Sequence, residues 1–330
     1  MIPMADCHDD LLMAVRHLRE RGHRDPFGDF WLPQLREGGV VLQVLPVYTE
    51  EQFVGEGALR RALLLLEEAR QLAEVHSAEV SIVETSEELS RTLEQGRIAL
   101  LLAIEGAEPV GNDLAMLDVF WRAGVRMASL TWNRRTMLAD GVGEQDTGGR
   151  LTALGVDAVA EMERLGVVLD VSHLSMAGFW HVAEVARRPF VASHSSCRAL
   201  QAHPRNLTDD QIRAIAASGG FVGINAFGPF LYDQPELRHY VDHAAHAVEL
   251  VGAGHVALGP DFMDDVARTV DPILQGALVD VAALPVVKDL RRPADLAKLG
   301  PLLMDRLGKR DALAVAAGTL IDFLGRALPR

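Results

Sequence analysis

Two hydrophobic periodicities alternate along this chain. Short apolar or β-branched runs occur at Ile2–His8, Val40–Val47, Ile98–Ile104, Val125–Thr131, Val167–Ser172, Pro189–Ser193, Phe221–Asn225 and Val256–Gly259. Gly, Asn or charged residues bound them, which is the pattern of strands buried on both faces of a parallel sheet. Stretches with apolar residues at helical spacing lie between them, at Ala58–Val75, Asp113–Arg122, Leu151–Leu165, Met176–Arg187, Asp209–Ser218 and Pro235–Val251. Thr208 followed three residues later by Gln211 predicts a capping box at the start of one of these helices. Eight strands alternating with helices predict an α/β fold of the (β/α)8 barrel type, a TIM barrel. The rival, a doubly wound open sheet, normally carries a Gly-rich phosphate turn after its first strand. Here Gly219-Gly220 precedes a strand instead.

Composition narrows the picture. With 330 residues, 49% hydrophobic and 24% charged, the chain has ample material for a core, and disorder is excluded. No linker or repeat divides it, so residues 1–330 are read as one barrel domain, with a loop insertion and C-terminal helices after about residue 262. A net charge of −14 argues against a nucleic-acid partner. Two cysteines, Cys7 and Cys197, are too few for a disulfide framework and suit a reducing compartment. No apolar run approaches the roughly 20 residues of a bilayer span, and the first residues lack a secretory pattern, so the expectation is a cytoplasmic protein with no membrane partner.

Active sites of (β/α)8 barrels are built at the C-terminal ends of the strands. The first run ends in His8 with Asp10 just beyond, the third in Glu105, the fifth in His173, the sixth in His194 and the eighth in Asp261. Any one of these has a plain structural explanation, such as a satisfied histidine or a carboxylate facing water. Three histidines and three carboxylates at five strand ends are harder to explain singly. Without thiolates, they suit a catalytic zinc site, with one ion or with two sharing a carboxylate. His239, His243 and His246 cluster in a helical stretch and read as a solvated helix face, Cys7 reads as packing, and Cys197 stays undecided.

Taken together, the motifs resemble a known family. Asp6-Cys7-His8-Asp9-Asp10-Leu11 is similar to the opening D-x-H-x-D-L of the membrane dipeptidases, the renal dipeptidase family or peptidase family M19 of the amidohydrolase superfamily. Further matches follow in family order at Leu35–Val40, Ile104-Glu105-Gly106, Leu130-Thr131, Leu165-Gly166, Asp170–His173, Ser193–Ser196, Arg205-Asn206 and Gly259–Phe262. The resemblance implies a zinc dipeptidase on a distorted (β/α)8 barrel, with a small dipeptide as its substrate. It implies two zinc ions, one held by His8, Asp10 and Glu105 and the other by Glu105, His173 and His194, with Glu105 bridging. A hydroxide between the ions would attack the scissile carbonyl, Asp261 would handle the proton, and Arg205 would hold the substrate's terminal carboxylate.

The chain departs from the family pattern at three places. Trp132 follows Leu130-Thr131 where the family commonly has a substrate-contacting histidine, Met263-Asp264 follows Asp261-Phe262 in place of Asp-Gly, and Gly318-Thr319 stands where Gly-Asn often precedes the last helix. An indole narrows the pocket and brings one donor that does not titrate near neutrality. The expectation is therefore a metallo-dipeptidase with Trp132 in its pocket wall. The alternatives are an amidohydrolase of N-acyl amino acids or lactones, and a metal-binding homologue impaired in catalysis. A homodimer is left open.

Overall fold

The computed structural model describes residues 2–264, 266 and 285–330. The strands are β1 (Met4–Asp6), β2 (Val40–Tyr48), β3 (Val80–Ile82), β4 (Ile98–Glu105), β5 (Val125–Ser129), β6 (Val168–Asp170), β7 (Phe190–Val191), β8 (Val222–Ile224) and β9 (Val256–Leu258). All pairings between them are parallel, and the order around the ring is β7-β6-β5-β4-β2-β1-β9-β8. A parallel bridge between Ala192 and Val222 joins β7 to β8 and closes the barrel. The expected eight-stranded ring is therefore present.

One strand was not anticipated. β3 lies off the ring against the first residues of β4, pairing Val80–Ile82 with Ile98–Leu100, while β5 takes the same edge from Leu102 onward. A Val-Ser-Ile segment is too short to show a period, so only the neighbouring strand edge reveals it.

The helices follow the predicted alternation. They are α1 (Leu11–Glu20), α2 (Leu32–Glu37), α3 (Gly57–Val75), α4 (Ser86–Glu94), α5 (Ala115–Arg122), α6 (Ala153–Leu165), α7 (Met176–Val185), α8 (Asp209–Ser218), α9 (Gly228–Leu231) and α10 (Leu237–Val251). Among the described residues after β9 are α11 (Leu299–Leu313) and α12 (Thr319–Ala327). The capping box of α8 is formed: Gln211 N donates to the Thr208 hydroxyl and Thr208 N to the Gln211 side chain. Among the described residues, no helix is long and apolar enough to cross a membrane.

Two apolar clusters organise the barrel. Ala5, Leu42, Val44, Leu101, Met127, Val168, Val191 and Ala257 come from seven strands and meet Leu320, Phe323 and Leu324 of α12. Residues drawn from so many strands can touch only inside the ring, so α12 stoppers the end opposite the strand C-termini. The alternate residues Leu45, Leu100, Leu102, Ile104 and Leu169 face the surrounding helices. Thr319, at the position where the family pattern has Asn, donates its hydroxyl hydrogen bond to Ala253 O at 2.7 Å and so ties the stopper to the turn before β9.

The histidine-rich helix face differs from its expectation. His243 is buried, and its Nδ1 accepts the Cys197 N–H at 2.9 Å while Nε2 donates to Leu231 O at 3.1 Å. His246 is half-buried against Asp209. The helical spacing was right, but only the packing of α10 on the loops after β7 and β8 shows which face is inside. Cys197 is also structural: its thiol lies 3.4 Å from His243 O, and burial pushes it up to about 12.

His243 makes stability depend on acidity. Burial lowers it from 6.5 to about 4, because Nδ1 is an acceptor in the fold and a second ring proton would face an N–H. The unfolded chain binds the proton first, so this contribution is complete above the unfolded value of about 6.5 and is lost as pH falls towards 4. Urea midpoints of the protein and of His243→Gln should be compared between pH 7 and 4, and the unmodified protein should lose roughly 2–3 kcal/mol more over that interval. Parallel curves would show that His243 is not the group responsible.

Candidate active site

The C-terminal strand ends bring the predicted residues to one place. Tyr48 and Glu105 are register partners at the ends of β2 and β4, and Ile104 faces the outer helices, so Glu105 and its partner point into the barrel mouth. His173 Nε2 lies 2.9 Å from Glu105 Oε1, His194 Nε2 lies 3.4 Å from the same oxygen, and His8 Nε2 lies 3.5 Å from Oε2. Ligand atoms of His8, Glu105 and His194 fall within 4.8 Å of one another, as do those of His8, Asp10 and Asp261. His8 belongs to both groups.

The backbone bends to achieve this. Among the described residues, His173 (φ 68°) and Asp261 (φ 57°) are the non-glycine residues in the left-handed region. Each costs on the order of 1–3 kcal/mol that the surrounding packing must offset. Where the ring closes, a Cβ on Gly223 would sit 2.0 Å from Ser193 O, so only glycine lets β8 approach the segment that carries His194.

Hydrogen bonds assign the imidazole tautomers. His173 Nδ1 donates to Asn133 Oδ1 at 2.8 Å, and His194 Nδ1 donates to Ser193 Oγ at 2.7 Å. The Ser193 hydroxyl in turn donates a hydrogen bond to Asp170 Oδ2, and Asp170 Oδ1 accepts from the N–H groups of Ser172 and Ser193 at 2.9 and 3.0 Å. His8 Nδ1 lies 3.5 Å from the same serine oxygen. Both His173 and His194 therefore aim Nε2 lone pairs inward, with the two nitrogens 2.8 Å apart beside Glu105.

That arrangement tests whether a metal ion fits. Two imidazole lone pairs and a carboxylate oxygen converge with no proton between them, which repels unless a cation sits among them. Tetrahedral zinc with ligands at about 2.0–2.1 Å would hold such donor atoms roughly 3.3 Å apart. Asp10 Oδ1 and His8 Nε2 are buried without a hydrogen-bond partner, as ligand atoms would be. A nitrogen- and oxygen-donor set without thiolate suits a borderline ion with open coordination.

The electrostatics point the same way. Burial opposes a charge on His8, but Glu105 and then Asp10 and Asp261 override it and raise His8 to about 10; a proton there is the stand-in for a cation. Burial and then Arg205 lower His173 to about 3, and burial with His8 puts His194 well below its ordinary value, so both stay neutral donors. Burial raises Asp10 well above the usual carboxylate range, with Glu105 adding to it. Asp261 is raised too, chiefly by burial, and it accepts from Asn225 Nδ2 at 3.1 Å.

Arg205 and Trp132 flank this cluster. Arg205 Nη2 donates to His194 O at 3.1 Å, and its buried Nε has no partner. Burial lowers it to about 10, against the pull of Asp261 and Glu105. The Trp132 ring centroid lies 5.8 Å from that of His173 and 5.3 Å from that of Tyr48. The loop after β9, where Met263-Asp264 departs from the family pattern, lines a cavity beside Asp261, and Asp264 pairs with Arg291.

Several site residues escaped sequence reasoning. Tyr48 stands one position beyond the predicted end of the second strand, Asn133 and Ser193 contact His173 and His194, and Asp170 acts on His194 through Ser193. Arg134 binds Glu108 at 2.6 Å, Thr49 O at 2.7 Å and also Glu51, and it lies over the Trp132 and Tyr48 rings. It clamps together the loops after β2, β4 and β5. Burial, with Glu105 and Glu51 adding to it against the opposing Arg134, holds the Tyr48 phenol well above its ordinary range, so it remains protonated.

Comparison with known proteins gives concordant matches. The model of the membrane dipeptidase family, peptidase family M19, matches residues 1–286. Dipeptidase VerJ of Clonostachys rogersoniana is 32% identical over 232 residues, which are 70% of this chain and 58% of that protein. The crystal structure of dipeptidase AC, a family M19 metallopeptidase, superposes with a TM-score of 0.86 at 26% identity, covering 100% of this chain and 99% of that one. A Rhodobacter sphaeroides metallopeptidase, liganded with a phosphinate mimic of the dipeptide L-Ala-D-Ala, gives 0.85 at 25% identity and covers 99% of each chain.

Ser193 offers a direct check on the tautomer assignment. Ser193→Ala removes the acceptor of His194 Nδ1 and breaks its link to Asp170, so divalent-ion affinity should fall by about 10–100-fold. Competition against a chromogenic chelator measures it, and unchanged affinity would mean that the imidazole is oriented by packing alone.

Proposed function

The chain belongs to the membrane dipeptidase family, peptidase family M19, and on that premise we propose that it hydrolyses dipeptides at a pair of zinc ions shared across Glu105. The observation that carries this reading is the convergence of the His173 and His194 Nε2 lone pairs on Glu105, with both tautomers fixed from behind. His8, Asp10 and Glu105 would hold one ion, and Glu105, His173 and His194 would hold the other. When bound, the ions supply a hydroxide at neutral pH and a positive field at the scissile carbonyl.

The remaining roles fall to side chains of this protein. Asp261, held by Asn225, takes the proton of the attacking water and passes it to the leaving amine. Arg205, whose Nε has no internal partner, receives the substrate's terminal carboxylate through its guanidinium fork. Trp132 forms the wall beside His173. The phosphinate dipeptide mimic in the Rhodobacter sphaeroides neighbour supports a dipeptide as substrate. Two free, buried cysteines suit a reducing compartment such as the cytoplasm.

Elemental analysis after zinc loading should find two ions per chain, and Glu105→Gln should lose one or both, because an amide is a poorer bridge than a carboxylate. A single equivalent that excess zinc does not raise would refute the shared site. In a panel of dipeptides, dipeptide amides, N-acyl amino acids and lactones, free dipeptides should be the best substrates. Arg205→Ala should cost about 2–5 kcal/mol in kcat/KM. Equal rates on a dipeptide and its C-terminal amide would remove Arg205 from this role, and faster turnover of N-acyl amino acids would replace the reading itself.

A further inference from the structure

The substitution at Trp132 leaves a gap in the site. Hydrolysis of an amide develops negative charge on the carbonyl oxygen, and a preorganised donor aimed at that oxygen contributes strongly to rate. The strand end where the family pattern places a histidine carries an indole with a single N–H donor here, and a hydroxyl-bearing side chain packs against it.

Tyr48 is placed for that task. Its register partner is Glu105, so both side chains leave the sheet on the same side, at the same height in the barrel mouth. Its ring packs edge-on against Trp132, at 5.3 Å between centroids, and Trp132 in turn lies against His173. The residue is only 4% exposed, which fixes its rotamer. Arg134 Nη1 holds Glu51 and also approaches the phenol oxygen at 3.4 Å as a donor, while the other Arg134 nitrogens hold Glu108 and Thr49 O. A guanidinium behind a phenol oxygen polarises the O–H outward. Among the described residues the phenol proton has no acceptor, so it can be donated to a ligand.

We propose that the Tyr48 hydroxyl is a catalytic hydrogen-bond donor to the scissile carbonyl oxygen, taking the place left by the histidine-to-tryptophan change, with Arg134 as the residue that positions it. No proton is transferred in this role. The phenol donates a hydrogen bond that shortens as the oxygen gains charge, and the chemistry of hydrolysis is otherwise unchanged. The inference rests on the dipeptidase reading and adds a residue to it.

Tyr48→Phe keeps the ring and deletes only a hydroxyl whose internal contact is a 3.4 Å approach from Arg134, so the fold should survive. With the zinc-loaded protein, the variant should lose about 10²–10³ in kcat on a dipeptide, with KM and zinc content little changed. Binding of a phosphinate dipeptide mimic, whose tetrahedral oxygens imitate the charged state, should weaken by a comparable factor in calorimetry. Trp132→His, added to Tyr48→Phe, should restore at least tenfold of the lost kcat by returning a donor to the neighbouring strand end.

A kcat and a phosphinate affinity both within about threefold of the unmodified protein would overturn the proposal, since a missing oxyanion donor costs far more. Loss of zinc in Tyr48→Phe would overturn it too, by showing a structural role. Failure of the dipeptidase reading looks different: the unmodified, zinc-loaded protein would neither cleave dipeptides nor bind the phosphinate, and this inference would fall with it.

Discussion

The structure is arranged around a repulsion. Three imidazoles and three carboxylates, from His8, Asp10, Glu105, His173, His194 and Asp261, are gathered within a few ångströms in a buried space beside Arg205. Left to themselves, such groups would take up protons or move apart. The barrel prevents the second response, because the residues are anchored to five strand ends and the strands are hydrogen-bonded into a closed ring. What remains is a demand for positive charge, seen in the strong preference of His8 for its proton. A divalent ion meets that demand in the proposed function.

Rigidity therefore matters more than any single contact. The interior of the ring is filled by aliphatic side chains and closed from below by α12, with Phe323 edge-on against Phe221 at 5.1 Å. Above this apolar layer the inward positions turn polar within two residues, from Ala103 to Glu105 on β4 and from Val168 to Asp170 on β6. The left-handed backbone at His173 and Asp261 is tolerated because the segments after neighbouring strands hold it: Val142 N donates to His173 O, and Asp261 N donates to His8 O. Strain and buried charge thus occur together at one end, and ordinary packing at the other.

Around the mouth the chain has its own character. Arg134, Trp132 and Tyr48 form a stacked group fixed by Glu51 and Glu108, and it stands where the family pattern has a titratable histidine. An indole, a phenol and a neutralised guanidinium make a wall that changes little with pH near neutrality. Asp261, to which the proposed function gives the acid–base work, is linked to Asn225.

The sequence by itself determined the fold class and the candidate ligands. Strand periodicity, helix spacing and the capping box at Thr208 are local properties, set by a few neighbouring residues, and they survived folding with boundaries shifted by no more than two residues. The position of a histidine or carboxylate at a strand end is equally local, which is why His8, Glu105, His173, His194 and Asp261 were legible. Other features were not: β3, the burial of His243, the Asp170–Ser193–His194 relay, and the clamp of Arg134 on Glu51 and Glu108. Each joins residues between one and 83 positions apart, through loops whose course no periodicity encodes. Tertiary structure decided them because a hydrogen bond or a ring contact depends on distances of a few ångströms, and the closing of the barrel alone sets those distances.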